Sequence, residues 1–371
     1  MAFGQSFPLT SQAPRDGGRS PSRLAESVPQ APHSPVRVDW IDYAKGIAIA
    51  LVVLGHVDLG IVSAGLADET SELYLSAIDR FVYTFHMPVF FFVGGLFAAR
   101  LRTRPIAKTA VTLACTIVYP YFVWASAQEL LGLCFRSYTN HTTALRDLAM
   151  IAVRPPMQFW FLYVYFLIVV TYTLLSKARV SRLWIALIFV AAWTLMAFNV
   201  RSTWTPLLWL QIYGIFFVAG DVARPFYLSV FGEQSPWRSW WIPTGISCFL
   251  VVGWLTWLTR PPIQPLCGLL GVTGTCSIAA VLAAKKVARF VQICGIFSLE
   301  IYVTQTLFSA AVRIGLTHVF GITIVPIHIC LGLLAGITIP VAIAYLARRY
   351  GFEWLFRFPA SSRLAASTEH Q

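Results

Sequence analysis

The sequence predicts an all-α polytopic membrane protein with about ten transmembrane helices and both termini in the cytoplasm. Three observations carry that prediction. Of the 371 residues, 57% are hydrophobic and only 12% charged, and the mean hydropathy is +0.68; a soluble globular chain is about a quarter charged. Apolar runs recur along almost the whole length, each long enough for a hydrocarbon layer of about 30 Å. The basic residues alternate between the two sides of those runs. The weak dyad alternation of an outer-membrane barrel is absent.

Reading in order, the expected spans are 41–60, 80–99, 106–126, 157–176, 183–200, 206–223, 240–258, 264–284, 291–313 and 324–346. Pro120, Pro206, Pro243, Pro265, Pro326 and Pro340 fall inside these spans or at their ends. Membrane helices tolerate such prolines where neighbours satisfy the freed backbone groups. Residues 1–36 are rich in Ser, Pro, Gly and Arg with no apolar face, and read as a disordered cytoplasmic tail. The membrane domain is expected over 37–348, and 349–371 forms a second cytoplasmic tail. No apolar h-region lies near Met1, so the first span is expected to act as an uncleaved anchor. No extracytoplasmic hydrolase-like domain is expected beyond the last span.

A net charge of +12 invites a nucleic-acid partner, but its distribution excludes that reading. With the N-terminus inside, twenty Lys and Arg fall on the cytoplasmic side and seven outside, with Lys45 left within the first helix. This is the positive-inside pattern of a multi-pass protein, expected here in the cell inner membrane. The seven cysteines have no paired short spacing and read as small buried hydrophobes. No Walker loop, dinucleotide fingerprint or HExxH helix is present, so ATP-driven transport and metalloprotease chemistry have no support, and no metal site is expected.

The first helix holds the most informative residues: Asp42-Tyr43-Ala44-Lys45-Gly46, eight apolar positions, then Gly55-His56. A charge at bilayer depth costs at least about 2.5–3.5 kcal/mol, so ionisable groups there are functional candidates. Lys45 and His56 are eleven residues apart, which is three turns plus about 20°, with a rise of about 16 Å. Both therefore project from nearly one face, which Asp42 shares from three residues before Lys45. Two readings stand for each. Lys45 either snorkels to lipid phosphates or serves a site; His56 either caps the span or acts as a base, since neutral imidazole takes a proton from a hydroxyl near pH 7.

The second span contains His86-Met87-Pro88, an aromatic wall Phe90-Phe91-Phe92, and Gly94-Gly95. Alone it reads as a kinked, aromatic-lined helix whose glycines allow close packing. Together with the first helix it resembles the integral-membrane acyltransferase family 3, the O-acyltransferases of surface polysaccharides, lipid-linked sugars and secreted glycosides. The residues carrying the resemblance are Lys45 through His56, then Phe85-His86-Met87-Pro88-Val89-Phe90-Phe91-Phe92-Val93-Gly94-Gly95. Phe159-Trp160-Phe161-Leu162 and Gly295-Ile296-Phe297-Ser298-Leu299-Glu300-Ile301-Tyr302 follow in family order. Gly94 stands where Ser is commoner, and Gln305 where a His often follows the Tyr. The wording most resembles the branch of fucose 4-O-acetylases that includes rhizobial nodulation proteins.

The resemblance implies acyl transfer, with acetyl-CoA as the usual donor from the cytoplasm and a sugar hydroxyl of a glycan or lipo-oligosaccharide as acceptor; no permanently bound cofactor is implied. His56 is then the candidate base, with His86 against the thioester, the acceptor or the His56 ring. Lys45, Arg100, Arg102 and Arg104 lie where CoA phosphates would arrive, although the three arginines equally satisfy the topology rule. Glu300, about ten residues into the ninth span, is expected deep in hydrocarbon, as a catalytic group or as the partner of Lys45 or an Arg. Asp42, Trp160, Tyr302 and Gln305 are candidate substrate contacts, and Tyr163 offers another stacking surface; aromatic belts supply such residues without function. Asp79 and Arg80 read as a surface pair, and Asp221 as a helix-end or loop contact. Asn140-His141-Thr142 matches a glycosylation sequon that has no meaning in a bacterial inner membrane. The rival class is a secondary transporter or flippase for a glycan or small anion, which also uses intramembrane His, Lys and Glu.

Overall fold

The computed structural model describes residues 38–136, 144–232, 234–258 and 264–358. The tail over 1–36, the sequon at 140–142, Arg260 and the end of the chain beyond 358 lie outside the described residues.

All regular structure among the described residues is helical. The helices are α1 (Asp39–Ser63), α2 (Glu69–Tyr83), α3 (His86–Leu96), α4 (Ala99–Thr103), α5 (Ile106–Leu113), α6 (Tyr119–Cys134), α7 (Leu145–Met150), α8 (Trp160–Lys177), α9 (Arg182–Ala197), α10 (Thr205–Val230), α11 (Trp241–Leu258), α12 (Gln264–Lys285), α13 (Arg289–Ile296), α14 (Ser298–Ile314) and α15 (Val325–Tyr350). Seven stretches are long and apolar enough to cross a membrane: 39–63, 106–134, 157–177, 205–230, 238–257, 265–285 and 325–350. The chain is therefore a multi-pass membrane protein.

Three expected spans take other forms. The run 80–99 breaks between α2 and α3 at Thr84 and Phe85, because Pro88 has no N–H for the carbonyl of Thr84 four residues back. The run 183–200 becomes the 16-residue α9, followed by Asn199 in the left-handed conformation at φ 64°. The run 291–313 bends by 91° between α13 and α14. That bend moves Glu300 from mid-span to the first turn of a new helix.

Helix α1 is the hub. It touches α2, α3, α12, α13, α14 and α15 and buries Ala44, Ala48, Ile49, Val52 and Val53 almost completely. In lipid, association is driven by close packing rather than by the hydrophobic effect, which favours small residues at crossings. A Cβ on Gly46 would overlap the Val291 carbonyl, and one on Gly295 would overlap the Asp42 carbonyl. The glycines of the first and last motifs thus interlock the start of α1 with α13. Gly95 and Gly220 perform the same service for α3 and α10.

Outside the spans, Asp68 caps α2 by accepting from the Ser71 amide at 2.8 Å. The side chain and amide of Ser71 together hold that carboxyl below its ordinary range. After α15, Gly351 at φ 78° turns the chain back, and Trp124 Nε1 donates to the Leu355 carbonyl at 2.9 Å. Phe356 is buried there, its ring stacked on Trp124 at 5.5 Å.

Candidate active site

The break after α2 lets His86 enter the bundle beside α1. Nδ1 of His56 lies 2.8 Å from the Val52 carbonyl, and Nδ1 of His86 lies 2.7 Å from the Val82 carbonyl. A carbonyl only accepts, so each ring donates from Nδ1–H and, when neutral, presents a bare Nε2 lone pair. The two imidazoles are held in the same tautomer by the same device, the carbonyl one helical turn back. His86 is 2% exposed, whereas His56 is half-buried. His56 is the more accessible base.

Tyr83 joins the two histidines. Its Cε2 comes within 2.8 Å of where a Gly55 Cβ would stand, so Gly55 leaves room for the ring beside His56. The same ring meets His86 edge-on at 4.7 Å between centroids and 85° between planes. Sequence reasoning missed Tyr83, although it stands only three residues before His86.

Gln305 reaches the other side of His56, with Nε2 3.1 Å from Nδ1. Its Oε1 is buried without a partner. Because Nδ1 already carries the hydrogen given to Val52, a satisfied contact requires the amide carbonyl at that position. The NH₂ group then occupies the place of the buried, unpartnered oxygen. The neighbouring Thr306 and Gln128 form a polar network with Gln158, whose Nε2 donates to Gln128 at 2.7 Å and to Thr306 at 2.8 Å. The Tyr302 hydroxyl donates to the Gln158 carbonyl.

Aromatic rings of α3, α8, α10 and α14 pack against one another. Phe91 stacks on Tyr213 at 5.1 Å, and Trp160 meets Tyr213 at 5.1 Å and Trp209 at 4.5 Å. Phe161 touches Tyr302 at 5.4 Å and Phe90 at 5.7 Å. Tyr163 turns away, donating to the Ala152 carbonyl at 2.9 Å. Gly94 accommodates this wall: a Cβ there would stand 2.7 Å from the Tyr165 hydroxyl. The Ser-to-Gly departure thus makes room for Tyr165.

The charged candidates collect elsewhere. Lys45 pairs with Asp42 at 2.9 Å, about 16 Å along α1 from His56. Glu300 is buried and accepts from Arg348 at 2.8 Å, while that guanidinium also lies 4.2 Å from the Phe297 ring centroid. Its partner is an arginine and not Lys45, and the pair does not reach the histidines: Glu300 sits five residues before Gln305, a rise of about 7.5 Å.

Arg102 bonds Tyr172 through Nε at 2.7 Å and pairs with Asp221. Arg182 adds to the same carboxylate at 3.4 Å. Asp221 is therefore a buried tie between helices rather than a loop contact, and Arg102 is committed to it. Arg100 is exposed over Phe97 at 5.3 Å, and Arg104 is half-buried at the end of α4. Asp79 forms no ion pair with Arg80, and its Oδ1 is buried without a partner. The cysteines among the described residues are free, five of them buried, and no group of three or more His, Cys, Asp or Glu is placed to hold a metal among those residues.

Comparison with known proteins adds a second, independent line. Residues 38–345 match the family profile described as an acyltransferase domain. The chain is similar to the nodulation protein NolL of Sinorhizobium fredii, 29% identical over 162 residues, or 42% of this chain and 39% of that protein. It is also similar to NolL of Mesorhizobium japonicum, 25% identical over 146 residues, or 39% of this chain and 37% of that protein. The matches span less than two-fifths of the length of these relatives. No solved structure matches the chain.

Proposed function

Because the chain belongs to acyltransferase family 3, we propose that it is a membrane O-acetyltransferase, moving an acetyl group from acetyl-CoA to a sugar hydroxyl of a glycan or lipo-oligosaccharide. The observation that carries this reading is the arrangement at His56: Nδ1–H fixed by Val52, Nε2 free, and Gln305 alongside. A sugar hydroxyl is a poor nucleophile at neutral pH and needs a positioned base. His56 Nε2 takes the hydroxyl proton as the oxygen bonds to the thioester carbonyl carbon. Collapse of the tetrahedral adduct breaks the C–S bond, and the imidazolium returns its proton to the departing CoA thiolate.

The oxyanion formed in between requires a donor, which the Gln305 NH₂ supplies once its carbonyl holds Nδ1–H. His86 supports the acceptor or the His56 ring through Tyr83. Lys45, with Asp42 beside it, meets the phosphates of CoA at the inner boundary; Arg100 and Arg104 keep free guanidinium groups for the same phosphates. The alternation of basic loops supports ten crossings of the cell inner membrane with both termini cytoplasmic. The acyltransferase domain then covers 37–348 between tails at 1–36 and 349–371. Similarity to the nodulation proteins favours fucose O-4 as the acceptor position.

The test uses membranes containing the protein, radiolabelled acetyl-CoA and a fucosylated oligosaccharide. Acetyl transfer that disappears in His56→Ala while expression persists is the expected result. Undiminished transfer in that variant overturns the mechanism. Labelled sugar crossing sealed vesicles without acylation overturns the enzyme reading in favour of transport.

A further inference from the structure

The bend between α13 and α14 opens a cleft that the mechanism above leaves unused. α14 runs beside α15, and the bend turns α13 away towards α1, whose backbone it meets at Gly46 and Gly295. One face of α15 is left uncovered over its last turns. The cleft there is about 820 Å³ in volume, with Phe290, Ile293 and Phe297 on one side and α15 from Thr338 to Arg349 on the other. Its only charged lining residues are Arg348 and Arg349, side by side at one end.

From Thr338 to Arg349 the cleft follows α15 for about 16 Å. One leaflet contributes roughly 15 Å to a hydrocarbon core of about 30 Å. The positive-inside pattern puts the arginine end at the cytoplasmic surface. Arg348 is held there by Glu300 at 2.8 Å and by the Phe297 ring, whose centroid is 4.2 Å away. Arg349 is exposed and forms no ion pair among the described residues.

This combination selects its occupant. Water would face apolar walls, and an empty cleft would deprive its lining of contact partners; a hydrocarbon chain meets neither penalty. Counted with Glu300, the two guanidinium groups leave one positive charge at the head of the cleft. A single phosphodiester matches that charge, and the planar fork of arginine suits phosphate oxygens. Free phosphate would leave the walls bare, and an uncharged lipid would leave Arg349 without a counter-charge.

We propose that the cleft binds one anionic phospholipid of the inner leaflet, its acyl chain between α13 and α15 and its phosphate on Arg349 and Arg348. The lipid braces the two helices where the bend has parted them. Basic pockets between helices on the cytoplasmic side are suited to such head groups. The proposal does not depend on the acyltransferase reading.

The test titrates the purified protein in detergent with palmitoyl-oleoyl phosphatidylglycerol or the matching phosphatidylcholine, and counts bound lipids by native mass spectrometry. One phosphatidylglycerol should be held at least about tenfold more tightly than phosphatidylcholine. Arg349→Gln should weaken it about fivefold, the worth of one basic residue beside an anionic lipid. Arg224→Gln, at an exposed arginine outside the cleft, should leave it unchanged. Ala342→Trp should expel the lipid by filling the cleft; should that protein fail to fold, the exposed, unpaired Arg349 decides alone. Equal retention of the two lipids, unchanged binding in Arg349→Gln, an equal loss in Arg224→Gln, or lipid retained in folded Ala342→Trp overturns the proposal. Displacement of the lipid by acetyl-CoA overturns it too and gives the cleft to the acyl donor.

Discussion

The amide of Gln305 lies 3.1 Å from Nδ1 of His56, on a ring nitrogen whose hydrogen is already given to the Val52 carbonyl at 2.8 Å. In the proposed mechanism one side chain thus meets two demands, holding the His56 tautomer and donating to the oxyanion. Loss of a single oxyanion donor costs about 10²–10³ in kcat in well-studied enzymes. Gln305→Leu is expected to fall in that range with the KM for acetyl-CoA little changed. Kinetics with the radiolabelled donor checks this, and a loss confined to KM would contradict it.

Glu300 and Arg348 should behave as a structural couple. Arg348→Ala strands a buried carboxylate, and the cost should fall short of the about 3–5 kcal/mol of a fully buried pair. The arginine is 38% exposed, so solvent already screens part of its attraction. Melting in detergent should show Arg348→Ala clearly destabilised and the double variant Glu300→Gln/Arg348→Gln partly recovered.

Arg102 and Lys45 should separate by readout. Arg102 is engaged by Tyr172 and Asp221, so Arg102→Ala should lower the melting temperature and leave the KM for acetyl-CoA close to its original value. Arg182 remains on Asp221, which keeps the loss below that of an isolated buried carboxylate. Lys45→Ala should do the reverse, raising that KM several-fold with a small change in melting.

The interlocked glycines offer a sharp contrast. Gly46→Ala and Gly295→Ala each press a Cβ into the backbone of the opposing helix, and overpacking of this kind costs about 1–3 kcal/mol or more. Gly315→Ala meets nothing within 4 Å and should be neutral. Thermal shift of the three purified variants decides between backbone crowding and a general aversion to change.

Gly94→Ser should also destabilise, because its Cβ would stand 2.6 Å from Tyr165 Cε2. The obstruction is the end of a side chain, so Tyr165→Leu in the same protein should restore the melting temperature. A penalty that persists in the double variant would place the conflict elsewhere.

The helical class was legible from composition and the family from the first two motifs; Lys45, His56 and His86 could be singled out as candidates because a polar group in a hydrophobic run is costly enough to stand out, and Gln305 because it departs from the family pattern. That Glu300 opens a new helix was not legible, since a hydrophobic run does not reveal a 91° bend. Tyr83 escaped notice because an aromatic residue near a membrane boundary is common. Arg349 read as one more basic residue of the positive-inside count, since nothing in a one-dimensional pattern says which cation will stand at an apolar cleft.

By itself the sequence determined that this protein lives in a membrane and which helix carries the costliest polar groups, since both follow from the cost of placing polar groups in lipid. Only the tertiary structure decided what those groups do to one another. It turned Gln305 and His56 face to face, withdrew Arg102 into an ion pair, and set Arg349 at the end of an apolar cleft between α13 and α15. Such pairings depend on how helices distant in sequence cross. Close packing of backbones at Gly46, Gly295, Gly95 and Gly220 governs those crossings, and it leaves little trace in hydropathy or charge.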